Sequence, residues 1–173
     1  AGFANEVTDN IPEGLEFIPD SDINKQYRVA AYCRVSTDKE EQENSLENQI
    51  TYYKNKIEST PKWMLVDIFA DFGISGMNDT NRIEFQRMLE MCDKGKIDLI
   101  ITKSISRFAR NTLDSLSCTR ELLNYGVAVL FENDNLNTVD EDCDFRLTTM
   151  ASLAQEESRK TSERLKFGFR QSV

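Results

Sequence analysis

A serine lies two residues after an arginine, at the point where an apolar segment gives way to a polar one. Arg34 and Ser36 follow the apolar run 29–31 and precede a stretch typical of a helix start. Because side chains alternate along a strand, the two would project to the same face. A hydroxyl beside a guanidinium suits attack on a phosphate, since the guanidinium can hold the anionic oxygens. The hydroxyl could instead cap the next helix, and this motif alone favours the cap.

A second group of basic residues follows the apolar run 97–102. In a turn or helix, Arg107 and Arg110 would lie on one face. Two adjacent guanidiniums repel each other unless a multiply charged anion lies between them. Together with Arg34 they could surround one phosphate and stabilise the charge that a phosphoryl-transfer transition state spreads over its equatorial oxygens. For a single arginine, a solvated basic helix start is the better interpretation.

A glycine-bounded loop is predicted at 71–76, and Arg82 follows it. The glycines permit close approach of the backbone to a ligand, and Arg82 could reach a phosphate. Taken alone the signal is weak, because such a segment is more often only a mobile turn.

The composition excludes several kinds of chemistry. The chain has no histidine, so a Ser-His-Asp triad, a Cys-His pair and a histidine-ligated metal site are excluded. The four cysteines lie far apart without C-x-x-C spacing, which indicates reduced thiols in a cytoplasmic protein and no zinc site. No apolar run approaches the length of a membrane span, so we expect no membrane contact.

The net charge of −9 argues against tight DNA binding by this chain alone, because phosphate contacts need lysine and arginine. The charge is unevenly distributed, however. Residues 1–26 carry a net charge of −5, whereas residues 102–120 carry a local charge of +3. The first segment lacks periodicity and is predicted to be a flexible or loosely docked extension.

Alternating strand and helix patterns predict the scaffold that positions these groups. The predicted strands are 27–35, 63–70, 97–102 and 127–131, and the predicted helices are 41–59, 82–94 and 112–125. This order predicts an α/β fold, with a largely parallel sheet and helices on both faces. Ligands of such sheets gather at the carboxyl ends of the strands. Ser36, the 71–76 loop and the 103–111 segment should therefore meet at one edge.

The last segment, 143–173, is predicted to form one long helix. Its first half has an apolar face, which must pack either on the sheet or on another subunit. Its second half is rich in charge, with a net charge of +2 over 156–170.

Five motifs, in order, resemble the catalytic domain of serine recombinases, above all the large integrase and transposase branch of mobile elements. They are Y-C-R-V-S-T, S-L-E-N-Q, D-F-G-I-S-G with a following arginine, S-R-F-A-R-N and A-Q-E-E-S-R. The resemblance covers roughly residues 27–170. It implies a resolvase-like fold in three parts: the extension 1–26, a catalytic core at 27–142 and a helix at 143–173. That helix would serve in oligomerisation and DNA contact and would lead to DNA-binding domains absent from this sequence.

The resemblance also implies the reaction and its partners. Ser36 would attack a phosphodiester of a double-stranded DNA attachment site, giving a 5′-phosphoserine and a free 3′-hydroxyl. Strand exchange and religation would follow without a cofactor or metal, because the phosphoserine conserves the energy of the phosphodiester. Homodimers would bind each site and pair as a synaptic homotetramer.

Six further residues match family positions. The phosphate-binding arginines are matched by Arg34, Arg107 and Arg110. The supporting residues are matched by Gln49, Ser75 and Arg82.

One position departs from the family's pattern. Small relatives have an aspartate immediately before the first arginine of this motif, whereas this chain has Ser106. No carboxylate can act there, and the way in which Ser36 loses its proton stays open. An alternative interpretation is a non-catalytic oligomerisation or regulatory module of the same fold, in which Ser36 only caps a helix. The presence of all the predicted arginines weighs against that alternative.

Overall fold

The structure, a computed structural model, describes residues 26–36, 46–73, 82–109 and 111–171. The strands are β1 (Tyr27–Ser36), β2 (Trp63–Gly73), β3 (Leu99–Thr102), β4 (Ala128–Phe131) and β5 (Leu136–Asn137). The helices are α1 (Leu46–Ser59), α2 (Ile83–Asp93), α3 (Ile105–Phe108), α4 (Thr112–Asn124) and α5 (Cys143–Gln171). The predicted extension 1–26 lies outside the described residues, except for Gln26.

The strands form one sheet in the order β2-β1-β3-β4-β5. The first four are mutually parallel, and β5 pairs antiparallel with β4. This arrangement confirms the predicted α/β fold with a largely parallel sheet. Because parallel strands point the same way, the carboxyl ends of β1 to β4 lie along one edge. There Ser36 pairs with Gly73, and Thr102 pairs with Phe131.

The central strand β1 is buried on both faces, as expected for a strand covered by helices on each side. Ala30 and Tyr32 belong to the core formed with α2, α3, α4 and α5. The intervening residues Ala31 and Cys33 face the opposite core, which α1 covers with Tyr53 and other apolar side chains. Arg34 continues the alternation and lies on the same face as Tyr32.

Two helices end where the sequence predicted. Gly95 follows α2 with φ of 70° and Gly126 follows α4 with φ of 77°, in the left-handed region that favours glycine. At the start of α4, the side chain of Asn111 accepts a hydrogen bond of 2.8 Å from the backbone N–H of Asp114. This cap satisfies one of the free donors of the first helical turn.

The predicted loop at 71–76 is partly wrong, because β2 continues through Gly73. The strand is longer because its last residues pair with β1, with Arg34 opposite Asp71 and Ser36 opposite Gly73. Residues 74–81 lie outside the described part of the chain.

The apolar first half of α5 is only partly buried within the domain. Leu147 and Ala151 are buried in the domain, whereas Phe145 is 73% exposed and Leu153 is 60% exposed. An ion pair of 2.7 Å between Arg120 and the Asp144 carboxylate also joins α4 to α5. Over the described residues, no helix is long and apolar enough to cross a membrane.

Candidate active site

The carboxyl end of β1 is joined to the segment after β3 by Arg107. Its Nη1 donates a hydrogen bond of 3.1 Å to the main-chain carbonyl of Arg34. The short helix that carries Arg107 is held in turn by the Asp134 carboxylate, which accepts a hydrogen bond of 2.8 Å from the backbone N–H of Ile105. The structure thus brings the Arg107 side chain to the main chain of Arg34.

Aromatic packing also fixes the short helix that carries Arg107. Phe108 is fully buried, and its ring meets those of Phe85 and Phe131 edge-on, with centroids 5.2 and 5.4 Å away. Such edge-to-face pairs add to the free energy gained from burial alone. The position of Arg107 is therefore set by its buried neighbour in the sequence.

Arg82 lies just before α2 and makes its hydrogen bonds to protein groups. Its Nε donates a hydrogen bond of 3.1 Å to the Tyr32 hydroxyl, and its Nη2 donates one to the carbonyl of Phe108. The guanidinium also lies over the Phe85 ring, 3.8 Å from the centroid. Arg82 therefore links β1, α2 and α3 through its contacts with Tyr32, Phe85 and Phe108.

Asp71 and Tyr32 complete this network, and sequence reasoning did not single them out. The Asp71 carboxylate is buried and accepts hydrogen bonds from the Tyr32 hydroxyl at 2.9 Å and from the backbone N–H groups of Glu84 and Phe85 at 3.0 Å each. Its charge lies at the positive end of α2, which is a favourable place for an anion. Burial raises the pKa of Tyr32, although Arg82 opposes the shift, so the hydroxyl stays protonated and donates.

Tyr32 and Asp71 both belong to motifs that the sequence analysis identified, so each could have been proposed as a site residue. Tyr32 lies two positions before Arg34 on the same strand face, and Asp71 opens the D-F-G motif at the end of a strand. No short-range signal indicated that the two would meet, since they are 39 residues apart.

Of three further predicted site residues, one lies at the end of a described strand and two lie outside the described residues. Ser36 ends β1, where its backbone pairs with that of Gly73. Ser75 and Arg110 lie outside the described residues. Because Arg110 is not described, the statement that it shares a face with Arg107 in a turn or helix stays a prediction. The helix α3 ends at Phe108, and Ala109 is extended, with φ of −140° and ψ of 164°. The chain leaves the helix there because Asn111 starts a separate helix with a non-helical capping conformation.

Gln49 lines a cavity at the same edge of the sheet. The cavity has a volume of about 320 Å³ and opens between α1 and the residues that follow β3 and β4. Its lining residues are Asn48, Gln49, Tyr52, Tyr53, Lys103, Glu132 and Asn133. Gln49, whose location the sequence did not predict, therefore lies near the residues that follow β3 and β4.

Cys33 is the thiol nearest to the predicted nucleophile in sequence. It is buried against α1, and burial raises its pKa to about 12. At neutral pH the side chain is therefore a thiol, and only the thiolate is a strong nucleophile.

Comparison with known proteins decides the family. Residues 29–173 match the model described as the resolvase N-terminal domain. The chain belongs to the resolvase N-terminal domain family. Its relatives include the R46 site-specific recombinase of Escherichia coli, 30% identical over 141 residues that cover 82% of this chain and 67% of the relative. The transposon Tn3 resolvase of Escherichia coli is 28% identical over 158 residues, covering 84% of this chain and 78% of the relative.

Two solved structures share the fold. A resolvase family site-specific recombinase from Streptococcus pneumoniae superposes with a TM-score of 0.65 at 28% identity, covering 85% of this chain and 98% of that one. The catalytic domain of TP901-1 integrase superposes with a TM-score of 0.60 at 22% identity, covering 76% and 97%. The predicted family, fold and enzyme class are confirmed: the chain is a resolvase-family serine recombinase domain that acts on DNA.

Proposed function

We propose that this recombinase domain cleaves and rejoins double-stranded DNA through Ser36. The Oγ atom of Ser36 forms a bond to the phosphorus of a DNA phosphodiester, and the bond from that phosphorus to the 3′ oxygen breaks. The serine loses its proton and the departing 3′ oxygen gains one. The products are a 5′-phosphoserine and a free 3′-hydroxyl. Attack by a 3′-hydroxyl of the recombining strand reverses the step and releases the serine.

The contact between Arg107 and Arg34 supports this proposal most directly. The Arg107 guanidinium contacts the main-chain carbonyl of Arg34, so two cationic residues from distant parts of the sequence lie beside the strand end that carries Ser36. A bound phosphate relieves the repulsion between such cations and accepts their hydrogen bonds in pairs. Charge developing on the phosphoryl oxygens is stabilised in the same way. We assign Arg110 to the same group of phosphate ligands.

The supporting residues take two different roles in this proposal. Gln49 and Ser75 are assigned to contacts with the DNA strand near the reacting phosphate. Arg82 is assigned to positioning, since its hydrogen bonds to Tyr32 and Phe108 fix the strand and the helix that carry the phosphate-binding arginines.

The exposed apolar residues of α5 support the proposed assembly. Phe145 and Leu153 stand in solvent on a helix whose other side is buried in the domain. Covering them with a second copy gives the homodimer that binds one attachment site, and two dimers give the synaptic homotetramer. In this proposal 27–142 is the catalytic core, 143–173 is the helix for assembly and DNA contact, and 1–26 is a separate extension.

A cytoplasmic location belongs to the same proposal. All four cysteines are free thiols, and the cytoplasm keeps thiols reduced where the DNA is accessible.

A suicide duplex tests the reaction. The protein that carries this chain, in its full length, is incubated with duplexes that contain a nick close to the cleavage position, so that the short cleaved strand diffuses away and religation stops. We expect a covalent protein–DNA adduct on denaturing gels, and we expect Ser36→Ala to abolish it. Ser117→Ala, which changes an exposed serine of α4, is the matched control and should leave the adduct unchanged. An adduct that survives Ser36→Ala would exclude Ser36 as the nucleophile, and no adduct with any variant would favour the non-catalytic module.

A further inference from the structure

Among the lining residues that the structure describes, the cavity beside α1 has one carboxylate, Glu132, and that carboxylate is paired with a lysine. Glu132 Oε2 accepts a hydrogen bond of 2.8 Å from the Tyr52 hydroxyl and lies 2.5 Å from Nζ of Lys56. Burial alone would lower the pKa of Lys56, but the hydrogen bond and charge of Glu132 raise it, so the lysine stays charged. The pair therefore contributes no net charge to the cavity.

Lys103 is the other charged residue among the described residues that line the cavity. Among the residues that the structure describes, its ammonium group forms no ion pair, unlike that of Lys56 in the same cavity wall. Its main chain is fixed, because its carbonyl accepts a hydrogen bond of 2.8 Å from the backbone N–H of Asn133. The amide side chains of Asn133 and Gln49 line the cavity next to it.

Among its described lining residues, the cavity has one lysine outside an ion pair and three amide side chains, and such a lining is suited to an anion. Lysine binds phosphate as a point charge, and amide N–H groups can donate to its remaining oxygens. Lys103 also precedes Arg107 by four residues on the segment after β3. An extended strand of DNA held at Arg107 would therefore carry its neighbouring phosphate groups along this same edge.

We propose that this cavity binds a backbone phosphate of the DNA strand, next to the phosphate that is cleaved, with Lys103 as its cationic ligand. The inference rests on the proposed function, because it takes the DNA to lie along the edge that carries Ser36. It adds a phosphate subsite beside the six matched positions, and it gives this acidic chain a positive contact where its net charge of −9 would otherwise repel DNA.

The salt dependence of DNA binding tests this subsite. The chain, with Ser36→Ala to prevent cleavage, is titrated onto a fluorescent duplex of unrelated sequence at several salt concentrations between roughly 50 and 200 mM. Removing one phosphate contact lowers the slope of log K against log salt by about 0.9. We expect Lys103→Gln to show this loss together with weaker binding at low salt, and Lys103→Arg to restore the slope.

The matched control is Lys96→Gln, which removes the same charge from an exposed residue just before β3, at the opposite edge of the sheet. Its slope should equal that of the parent. Equal slopes for Lys103→Gln and Lys96→Gln would overturn the proposal. A second variant, Glu132→Gln, releases Lys56 from its partner and should strengthen binding at low salt; weaker binding with an unchanged fold would also contradict the proposal.

Inorganic phosphate distinguishes a DNA phosphate from a free anion. Phosphate that binds the parent through Lys103, as measured by calorimetry, together with a duplex slope unaffected by Lys103→Gln, would assign the cavity to a free anion and overturn the proposal. The suicide-duplex assay distinguishes failure of the phosphate subsite from failure of the proposed cleavage reaction. A Ser36-dependent adduct with no Lys103 effect on the slope defeats the subsite alone, whereas a missing adduct defeats the proposed reaction.

Discussion

The Arg107 guanidinium donates a hydrogen bond to the main-chain carbonyl of Arg34, across 73 residues of sequence. A carbonyl has no formal charge, so this contact orients Arg107 without cancelling its positive charge. Both ends of the contact lie beside the strand end that carries Ser36. The contact therefore couples the position of the segment after β3 to that of β1.

We predict that Arg107→Lys reduces the rate of adduct formation about 100-fold or more, because lysine lacks the planar fork that holds two phosphoryl oxygens. The free energy of unfolding should change by about 1 kcal/mol or less for loss of the hydrogen bond to Arg34, which is partly buried. Arg146→Lys is the matched control, because Arg146 is exposed and also donates to a carbonyl, that of Asn135. Equal rates for the two variants would remove Arg107 from the reaction.

Asp71→Asn should lower the free energy of unfolding by about 1–3 kcal/mol, because a buried carboxylate that accepts three hydrogen bonds is replaced by a group with a misplaced donor. Urea denaturation measures the loss. Asp67→Asn is the control, since Asp67 pairs with Arg87 in an exposed ion pair that should contribute about 1 kcal/mol or less. Similar losses for both would show that the Asp71 network adds little stability.

Tyr32→Phe should destabilise the domain by roughly 1–3 kcal/mol and also slow adduct formation. The hydroxyl donates to Asp71 and accepts from Arg82, so its removal leaves the buried carboxylate and the half-buried guanidinium without this partner. Tyr125→Phe removes an exposed hydroxyl that contacts only Glu121 among the described residues, and it should change neither quantity measurably.

The burial of two cysteine thiols predicts that the free energy of unfolding falls at high pH. Burial raises the pKa of both Cys33 and Cys92 from 9.0 to about 12. Between about pH 9 and pH 12 the unfolded chain therefore releases protons that the folded chain retains, so the free energy of unfolding falls as pH rises. Urea denaturation across this range should show a shallower fall for Cys33→Ala than for the parent. An unchanged slope would contradict the burial of this thiol.

The proposed homodimer predicts that Phe145→Ser and Leu153→Ser weaken self-association while leaving the unfolding transition in place, since both side chains are exposed in the single chain. Leu147→Ser should instead destabilise the domain, because Leu147 is buried in its core. Sedimentation velocity measures the association. A monomer at every concentration for the unsubstituted protein would contradict the assembly.

Most of the scaffold could be predicted from the sequence, because local periodicity and helix-ending glycines carry the information. The strand that ends at Ser36, the helix stops at Gly95 and Gly126, and the edge at which the polar segments meet all follow from such patterns. The extension of β2 through Gly73 could not be predicted, since it depends on pairing with β1.

The site was less predictable because its contacts join distant residues. Arg82 matched a supporting position of the family, yet its hydrogen bonds go to Tyr32 and Phe108, 50 and 26 residues away. The Glu132 partners in the cavity lie 76 and 80 residues before it. No pattern within a short window contains such pairs, and only the folded sheet brings them together.

Mass spectrometry of the adduct locates the covalent bond between protein and DNA. The adduct from the suicide duplex is digested with nuclease and trypsin, and the modified peptide is sequenced by mass spectrometry. Trypsin should release the peptide 35–39, and we expect the 5′-linked nucleotide on Ser36 rather than on the adjacent Thr37. A nucleotide attached to Ser75, or to any residue other than Ser36, would contradict the account.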